Sequence, residues 1–151
     1  MIPYSGTKTS QDLPLPARLL EIAGIVPFAI GALGVGLAPE IKSEAAHALL
    51  LYGAVSLSFL GGIRWGFALL EGEEAGWSAY GLSIAPALAG WLGAASGGPG
   101  GMLILAIALG IWLFAERAAP PSLPLPRGYI RLRGALTAVA ILSLVAAALY
   151  W

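Results

Sequence analysis

The sequence predicts an all-α integral membrane protein, a bundle of five transmembrane helices whose N-terminus lies inside and whose C-terminus lies outside. Apolar residues make up 58% of the 151 residues and charged residues only 11%, whereas a soluble domain has roughly 45–50% and about 25%. Such a chain cannot cover its own surface with polar groups. Residues 22–39 and 134–151 carry no charged side chain, and each stretch approaches the roughly 20 residues that cross a bilayer as a helix.

A short polar tail precedes one transmembrane domain in the predicted organisation. The tail covers residues 1–17 and the domain covers residues 18–151. The five spans are predicted at about residues 18–38, 45–70, 77–95, 102–118 and 129–151. The first span is interpreted as retained rather than as a cleaved signal peptide. A polar tail precedes it, and Pro39 directly follows the only run of small residues that could serve as a cleavage site.

Prolines and glycines set the predicted ends and kinks of the spans. Pro14 and Pro16 are expected to keep the tail from running as a helix into the first span. Pro27 and Pro86 are expected to kink the first and third spans, with neighbouring helices satisfying the freed carbonyl groups. Residues 96–101 read Ser-Gly-Gly-Pro-Gly-Gly and are predicted to form a connection that no helix crosses, which leaves the fourth span short.

The loop before the fifth span has four prolines among residues 119–128 and is predicted to be extended in polyproline geometry. Within it, residues 123–126 read Leu-Pro-Leu-Pro and lead to Arg127, as the same run at 13–16 leads to Arg18. Two interpretations remain open. Each run is an apolar lead-in at the membrane interface anchored by its arginine, or the runs are a docking strip for a partner.

Basic residues predict the orientation of the bundle. With five spans, seven of the eight lysines and arginines fall on the side of the N-terminus, and only Lys42 falls on the other side. Because lysine and arginine are enriched in cytoplasmic loops, this bias sets the N-terminus in the cytoplasm, or in the matrix of an organelle. The tryptophans and tyrosines fall near the two membrane surfaces under the same arrangement, as an interfacial aromatic belt requires.

Arg64 is the most informative charged residue in the sequence. It sits about six residues inside the end of the second span, roughly 9 Å deep at the helical rise, where an unpaired charge is costly. Glu21 lies at a similar depth on the first span, so an interhelical Glu21–Arg64 ion pair is predicted. The alternative is that Arg64 snorkels to the headgroups. His47 stands one turn after Glu44 and is interpreted as a side chain that satisfies a helix end or meets water, with proton sensing as the weaker alternative.

Small residues recur every four positions on the second and third spans. They are Ala54, Ser58, Gly62 and Gly66 on the second, and Gly81, Ala85, Ala89 and Gly93 on the third. Small side chains permit close approach of helix backbones in lipid. The stripes are therefore predicted to pack spans two and three together, with contact to another subunit as the alternative.

The second span also carries a family resemblance. Residues 52–69 read YGAVSLSFLGGIRWGFAL, and the first span contains Pro27-Phe28. With these runs the chain resembles the uncharacterised family of small membrane proteins known as domain of unknown function 3429, which includes transmembrane protein 69. The resemblance covers spans one to three, and implies a bacterial inner membrane or mitochondrial inner membrane location without any established activity, cofactor or substrate.

The polar and charged side chains of the spans indicate which classes of function the sequence favours. One arginine, one glutamate and one histidine at different depths do not converge as a catalytic site requires, so an enzyme is not expected, and neither a cofactor nor a metal site is expected in a chain without cysteine. The basic residues form no aromatic-interleaved patch, so nucleic acid is not expected as a partner. The sequence favours an accessory subunit or assembly factor that contacts the lipid bilayer and other membrane protein subunits. The alternative is a small transporter or a hydrophobic-ligand-binding membrane protein.

Overall fold

The computed structural model describes residues 12–120 and 125–151, which form a bundle of α-helices. The helices are α1 (Leu15–Ala23), α2 (Val26–Leu37), α3 (Lys42–Glu71), α4 (Trp77–Ser96), α5 (Gly98–Ala118) and α6 (Tyr129–Leu149), with single 3-10 turns at Pro39–Ile41 and Gly72–Glu74. Most of the predicted polar tail, residues 1–11, and part of the predicted polyproline loop, residues 121–124, lie outside the described residues.

The long helices form a closed ring. Helix α3 packs against α2 and α4, α4 packs against α5, α5 packs against α6, and α6 returns to α2, while α3 and α5 also touch across the centre. Short connections make successive helices antiparallel. Leu49, Leu57, Met102, Leu105 and Leu144 are fully buried where these helices meet, so the largest fully buried side chains are unbranched or branched apolar chains without charge.

The all-α membrane bundle predicted from composition is confirmed. Among the described residues, four helical segments are long and apolar enough to cross a membrane: Leu15–Leu37, Pro39–Glu74, Gly98–Ala118 and Tyr129–Leu149. The predicted third span is present as α4, a helix of 20 residues. Its serines, tryptophans and Pro86 make it less apolar than the other four segments, and it lies in the ring between α3 and α5.

The helix of the first span has a break at Gly24 and Ile25, next to Pro27, where a kink is predicted. Helix α1 ends at Ala23, α2 begins at Val26, and Pro27 occupies the first turn of α2, where its missing N–H is tolerated. The break leaves the Gly24 carbonyl available, and the Tyr52 hydroxyl of α3 donates a hydrogen bond to it over 2.7 Å. A neighbouring helix therefore satisfies the freed backbone group, as expected for a proline inside a span.

Two predicted helix starts are corrected by the structure. Helix α1 begins at Leu15, with Pro16 in its first turn, because proline is compatible with a first turn whose N–H groups have no partner in the helix. Helix α5 begins at Gly98, inside the segment expected to be non-helical. Gly97 and Gly98 have φ of +63° and +51°, a conformation that glycine adopts without strain, so two residues reverse the chain and the fourth span is of full length.

The two ends of the bundle hold different groups. At one end Asp12 and Arg127 form a parallel backbone bridge, which brings together the ends of the two Leu-Pro segments. At the other end the Lys42 ammonium lies 6.0 Å from the centre of the Trp151 ring. The residues that the five-span arrangement assigns to opposite membrane surfaces are therefore at opposite ends of the bundle.

Candidate functional site: a buried charge cluster beside an apolar groove

Three charged side chains from three helices meet near the end of the bundle that holds Asp12 and Arg127. Arg133 of α6 lies at the centre, with its Nη1 atom 3.6 Å from Oε1 of Glu21 on α1. Its Nε–H donates a hydrogen bond of 3.2 Å to Oε2 of Glu116 on α5. The Tyr129 ring lies one turn before Arg133, with its centre 5.9 Å from the guanidinium carbon. We call Glu21, Glu116 and Arg133 the charge cluster.

The charge cluster is buried and incompletely hydrogen-bonded. Arg133 is 7% exposed, and the side chains of Glu21 and Glu116 are 22% and 18% exposed. Among the described residues, the buried side-chain atoms without a hydrogen-bond partner are Arg133 Nη2, Glu21 Oε2 and Trp112 Nε1. Two of these atoms belong to the cluster itself, so its bonding capacity exceeds what the chain supplies.

An apolar groove begins at the charge cluster. It has a volume of about 290 Å³ and is bounded by α1, α2, α3, α5 and α6. Glu21 and Arg133 line one end, and its apolar walls include Ile25, Phe28, Val55, Phe59, Leu60 and Leu136. Val55 and Phe59 at its edge are 63% and 67% exposed, so the groove opens toward the lipid. The arrangement can hold a molecule with one polar end and one apolar end.

The predicted Glu21–Arg64 pair is replaced in the structure by Glu21–Arg133. Arg64 instead donates a hydrogen bond from Nη1 to the carbonyl oxygen of Ala119, just after α5. The helix contacts account for the change of partner, because α2 packs against α3 whereas α1 lies against α6. Glu21 therefore faces α6 and its arginine, rather than the helix that follows it in sequence.

Sequence reasoning missed the role of Arg133 and Glu116, although a signal was present. Arg133 stands four residues into α6, and Glu116 stands two residues before the end of α5. Both therefore lie at about the depth of Glu21 from the same end of the bundle. Comparing the depths of all charged residues, rather than only those on consecutive spans, finds the set of three.

The small-residue stripes only partly lie between α3 and α4. The closest backbone contact joins Gly61 to the Ser83 carbonyl, and another joins Gly90 to Ala54. No heavy atom lies within 4 Å of the position a Cβ would take at Gly62, Gly66 or Gly81. Spans two and three therefore pack together as predicted, but the residues at the contact are Gly61 and Gly90 rather than Gly62, Gly66 and Gly81.

The remaining stripe residues have other surroundings. Ser58 and Ala85 are exposed, and Ala89 is half-buried. Gly93 is buried, and packs against Leu105 and Gly101 of α5 rather than against α3. A repeat of four residues rotates by about 40° per step around a helix of 3.6 residues per turn. The stripe that begins at Ala54 therefore leaves the contact with α4.

The other polar candidates do not join the charge cluster. His47 and Glu44 are exposed near the start of α3, at the opposite end of the bundle. Within the described ranges, no group of three His, Asp or Glu side chains is arranged to hold a metal ion.

Comparison with known proteins gives the family of the chain. The family described as "Protein of unknown function (DUF3429)" matches residues 13–149. Transmembrane protein 69 of Xenopus tropicalis is 37% identical over 142 residues, which cover 91% of this chain and 55% of the frog protein. Transmembrane protein 69 of Mus musculus is 38% identical over 82 residues, which cover 53% of this chain and 34% of the mouse protein. The chain spans about half the length of the frog relative, and no solved structure matches it. Because the family match covers nearly the whole chain, the protein belongs to the DUF3429 family, the family of transmembrane protein 69.

Proposed function

We propose that this membrane protein is an accessory subunit or assembly factor of a larger membrane protein complex, and that it docks on a partner's transmembrane helix through the outer face of α3. The observation that carries the proposal is the open space around Gly62 and Gly66, next to the exposed Ser58. These small residues form a shallow channel on the lipid side of a long helix. In lipid, helices associate through close packing of such surfaces.

Large side chains next to the channel support docking of a helix. Phe59 and Leu69 lie on the same outer face and are 67% and 59% exposed. A partner helix seated on the glycines would pack against both side chains, and its backbone would come close to α3. The hydroxyl of Ser58 donates to the Ala54 carbonyl within α3 over 3.0 Å, so it needs no partner for its hydrogen.

The proposal assigns the protein no catalytic step and sets it in the bacterial inner membrane, or in the mitochondrial inner membrane as the alternative. Support for an inner membrane comes from the bias of seven basic residues to one, which marks the cytoplasmic or matrix side. A second candidate function is binding of a hydrophobic ligand, which the apolar groove favours.

Co-purification tests the docking proposal with variants that add bulk to the channel. We expect Gly62→Leu and Gly66→Leu to release a partner that is retained in stoichiometric amount by the wild type after mild detergent extraction. Loss of about tenfold in retention corresponds to about 1.4 kcal/mol. Ala138→Leu is the matched control, because it adds the same bulk at an exposed alanine of α6.

The melting temperature of each isolated variant must accompany the co-purification. We expect it not to fall for Gly62→Leu, because no atom lies where the added side chain begins and leucine has a higher helix propensity than glycine. Equal retention by all variants would overturn the proposal. So would a wild type that retains only a second copy of itself, since this result would make the α3 face a self-association surface.

A further inference from the structure

The head of the apolar groove combines a donor and an acceptor that lack partners. Arg133 Nη2 can donate a hydrogen bond and Glu21 Oε2 can accept one, and both residues line the groove. Both atoms have almost no accessible surface of their own. Since the terminal torsion of a glutamate is soft, a rotation of the Glu21 carboxylate is enough to present Oε2 to the groove.

The charge of the cluster selects the kind of head group. Arg133 is already engaged with both carboxylates, so its positive charge is shared between Glu21 and Glu116. A phosphate at this position would add negative charge beside Glu21, and an ammonium would face the guanidinium. A neutral hydroxyl both donates and accepts, so it satisfies Oε2 and Nη2 together without adding charge.

The walls of the groove select the rest of the molecule. Phe28 and Leu60 form an apolar surface next to the cluster, and Phe28 is held edge-on against Tyr52 with ring centres 5.1 Å apart. The groove volume of about 290 Å³ accommodates roughly ten groups of about 30 Å³, the share of a water molecule in the liquid. This space holds a polar head and the first part of a chain, and the open side lets the rest of the chain enter the bilayer.

We propose that the groove binds one neutral lipid-soluble alcohol, with its hydroxyl between Glu21 and Arg133 and its hydrocarbon chain along Phe28 and Phe59. The site lies at the end of the bundle where α1, α5 and α6 meet, so the hydroxyl sits near the membrane surface and the chain runs toward the centre. The inference rests on the charge cluster and the groove and does not require docking on α3, although Phe59 borders both the groove and the proposed docking face.

Photolabelling with three matched probes tests the proposal. The protein is placed in phosphatidylcholine nanodiscs that contain a long-chain alcohol with a photoreactive diazirine, its methyl ether, or its phosphate monoester. We expect the alcohol to label groove residues severalfold more than either of the other two probes. The methyl ether is the sharp comparison, because it keeps the acceptor oxygen and loses the donated hydrogen that Glu21 requires.

Two variants and one control complete the experiment. Thr137→Phe fills the groove and is expected to remove labelling by the alcohol, whereas Leu142→Phe adds bulk on the exposed face of the same helix and is expected to leave it unchanged. Glu21→Ala is expected to bring the alcohol down to the level of the methyl ether. Should Glu21→Ala fail to fold, the comparison of the three probes on the wild type and the labelling of Thr137→Phe still test whether the groove binds the alcohol.

Three outcomes would overturn the assignment. Equal labelling by the three probes would mean that ordinary lipid chains fill the groove without selection. Stronger labelling by the phosphate monoester would make the site one for an anionic lipid head group. Labels spread over outward-facing residues such as Ile107 and Leu142 would show that the probe does not enter the groove.

Discussion

Gly61 and Gly62 are adjacent glycines for which the structure predicts opposite effects of the same substitution. A Cβ at Gly61 would lie 2.3 Å from the Ser83 carbonyl oxygen, whereas 3.4 Å begins ordinary contact. Because the atom opposite is backbone, α3 and α4 would have to separate by about 1.1 Å to admit one methyl group. Overpacking of this kind costs about 1–3 kcal/mol, so Gly61→Ala is expected to lower the free energy of unfolding by that amount.

The same change at Gly62 meets no atom within 4 Å. Alanine is favoured over glycine in a helix by about 0.8–1.0 kcal/mol, so Gly62→Ala is expected to be neutral or to stabilise by up to that amount. Gly90→Ala should fall between these two, because its Cβ would lie 2.8 Å from the Ala54 carbonyl oxygen. The expected order of stability is therefore Gly62→Ala, then Gly90→Ala, then Gly61→Ala.

Unfolding of the purified protein in mixed micelles of increasing denaturing detergent measures the three free energies on one scale. Circular dichroism at equilibrium reports the loss of helix, and the wild type is measured in the same series. If Gly61→Ala is as stable as the wild type, or if Gly62→Ala loses as much as Gly61→Ala, the register assigned to α3 against α4 is wrong.

Three further predictions address the charge cluster, the helix break and the orientation. Arg133→Met is expected to destabilise by about 1–3 kcal/mol, because it leaves two half-buried carboxylates without their cation. Arg131→Met, exposed on the same helix, should change stability by no more than about 0.5 kcal/mol. Both are read by the same detergent unfolding, and equal effects would remove the cluster as a stabilising element. Tyr52→Phe is expected to lower the free energy of unfolding by about 0.5–1.5 kcal/mol through loss of its hydrogen bond to Gly24. An unfolding curve of this variant identical to that of the wild type would show that the break needs no such partner. A reporter active only in the cytoplasm is expected to be silent when fused after Trp151, and activity there would refute five spans with the N-terminus inside.

Much of the fold could be predicted from the sequence, because long apolar runs leave few alternatives to membrane helices. The predicted start of α4 at Trp77 and of α6 at Tyr129 coincide with the observed ones. The misplaced starts of α1 and α5 have one cause. Proline and glycine interrupt the interior of a helix, but the first turn tolerates them, since its N–H groups have no partner within the helix.

The candidate site could be predicted only in part. The depth of Glu21 correctly indicated that its carboxylate needs a cation, but its partner depends on which helices are adjacent in space. Adjacency in the ring is not readable from spacing alone, because α6 closes the ring against α1 and α2. The small residues show where the two helices can approach each other. Their spacing of four residues does not show which glycine faces the neighbouring helix, because a repeat of four drifts around a helix of 3.6 residues per turn.

The break in the first span links the charge cluster to the groove. Helix α2 packs against both α3 and α6, and α1 packs against α6. Helix α1 brings Glu21 to Arg133, and the residues at and after the break, Gly24, Ile25 and Phe28, line the groove. The Tyr52 hydroxyl donates its hydrogen bond to the Gly24 carbonyl from the α3 side. The first span therefore contributes to both halves of the site, because α1 supplies a charge to the cluster and the start of α2 supplies part of the apolar wall.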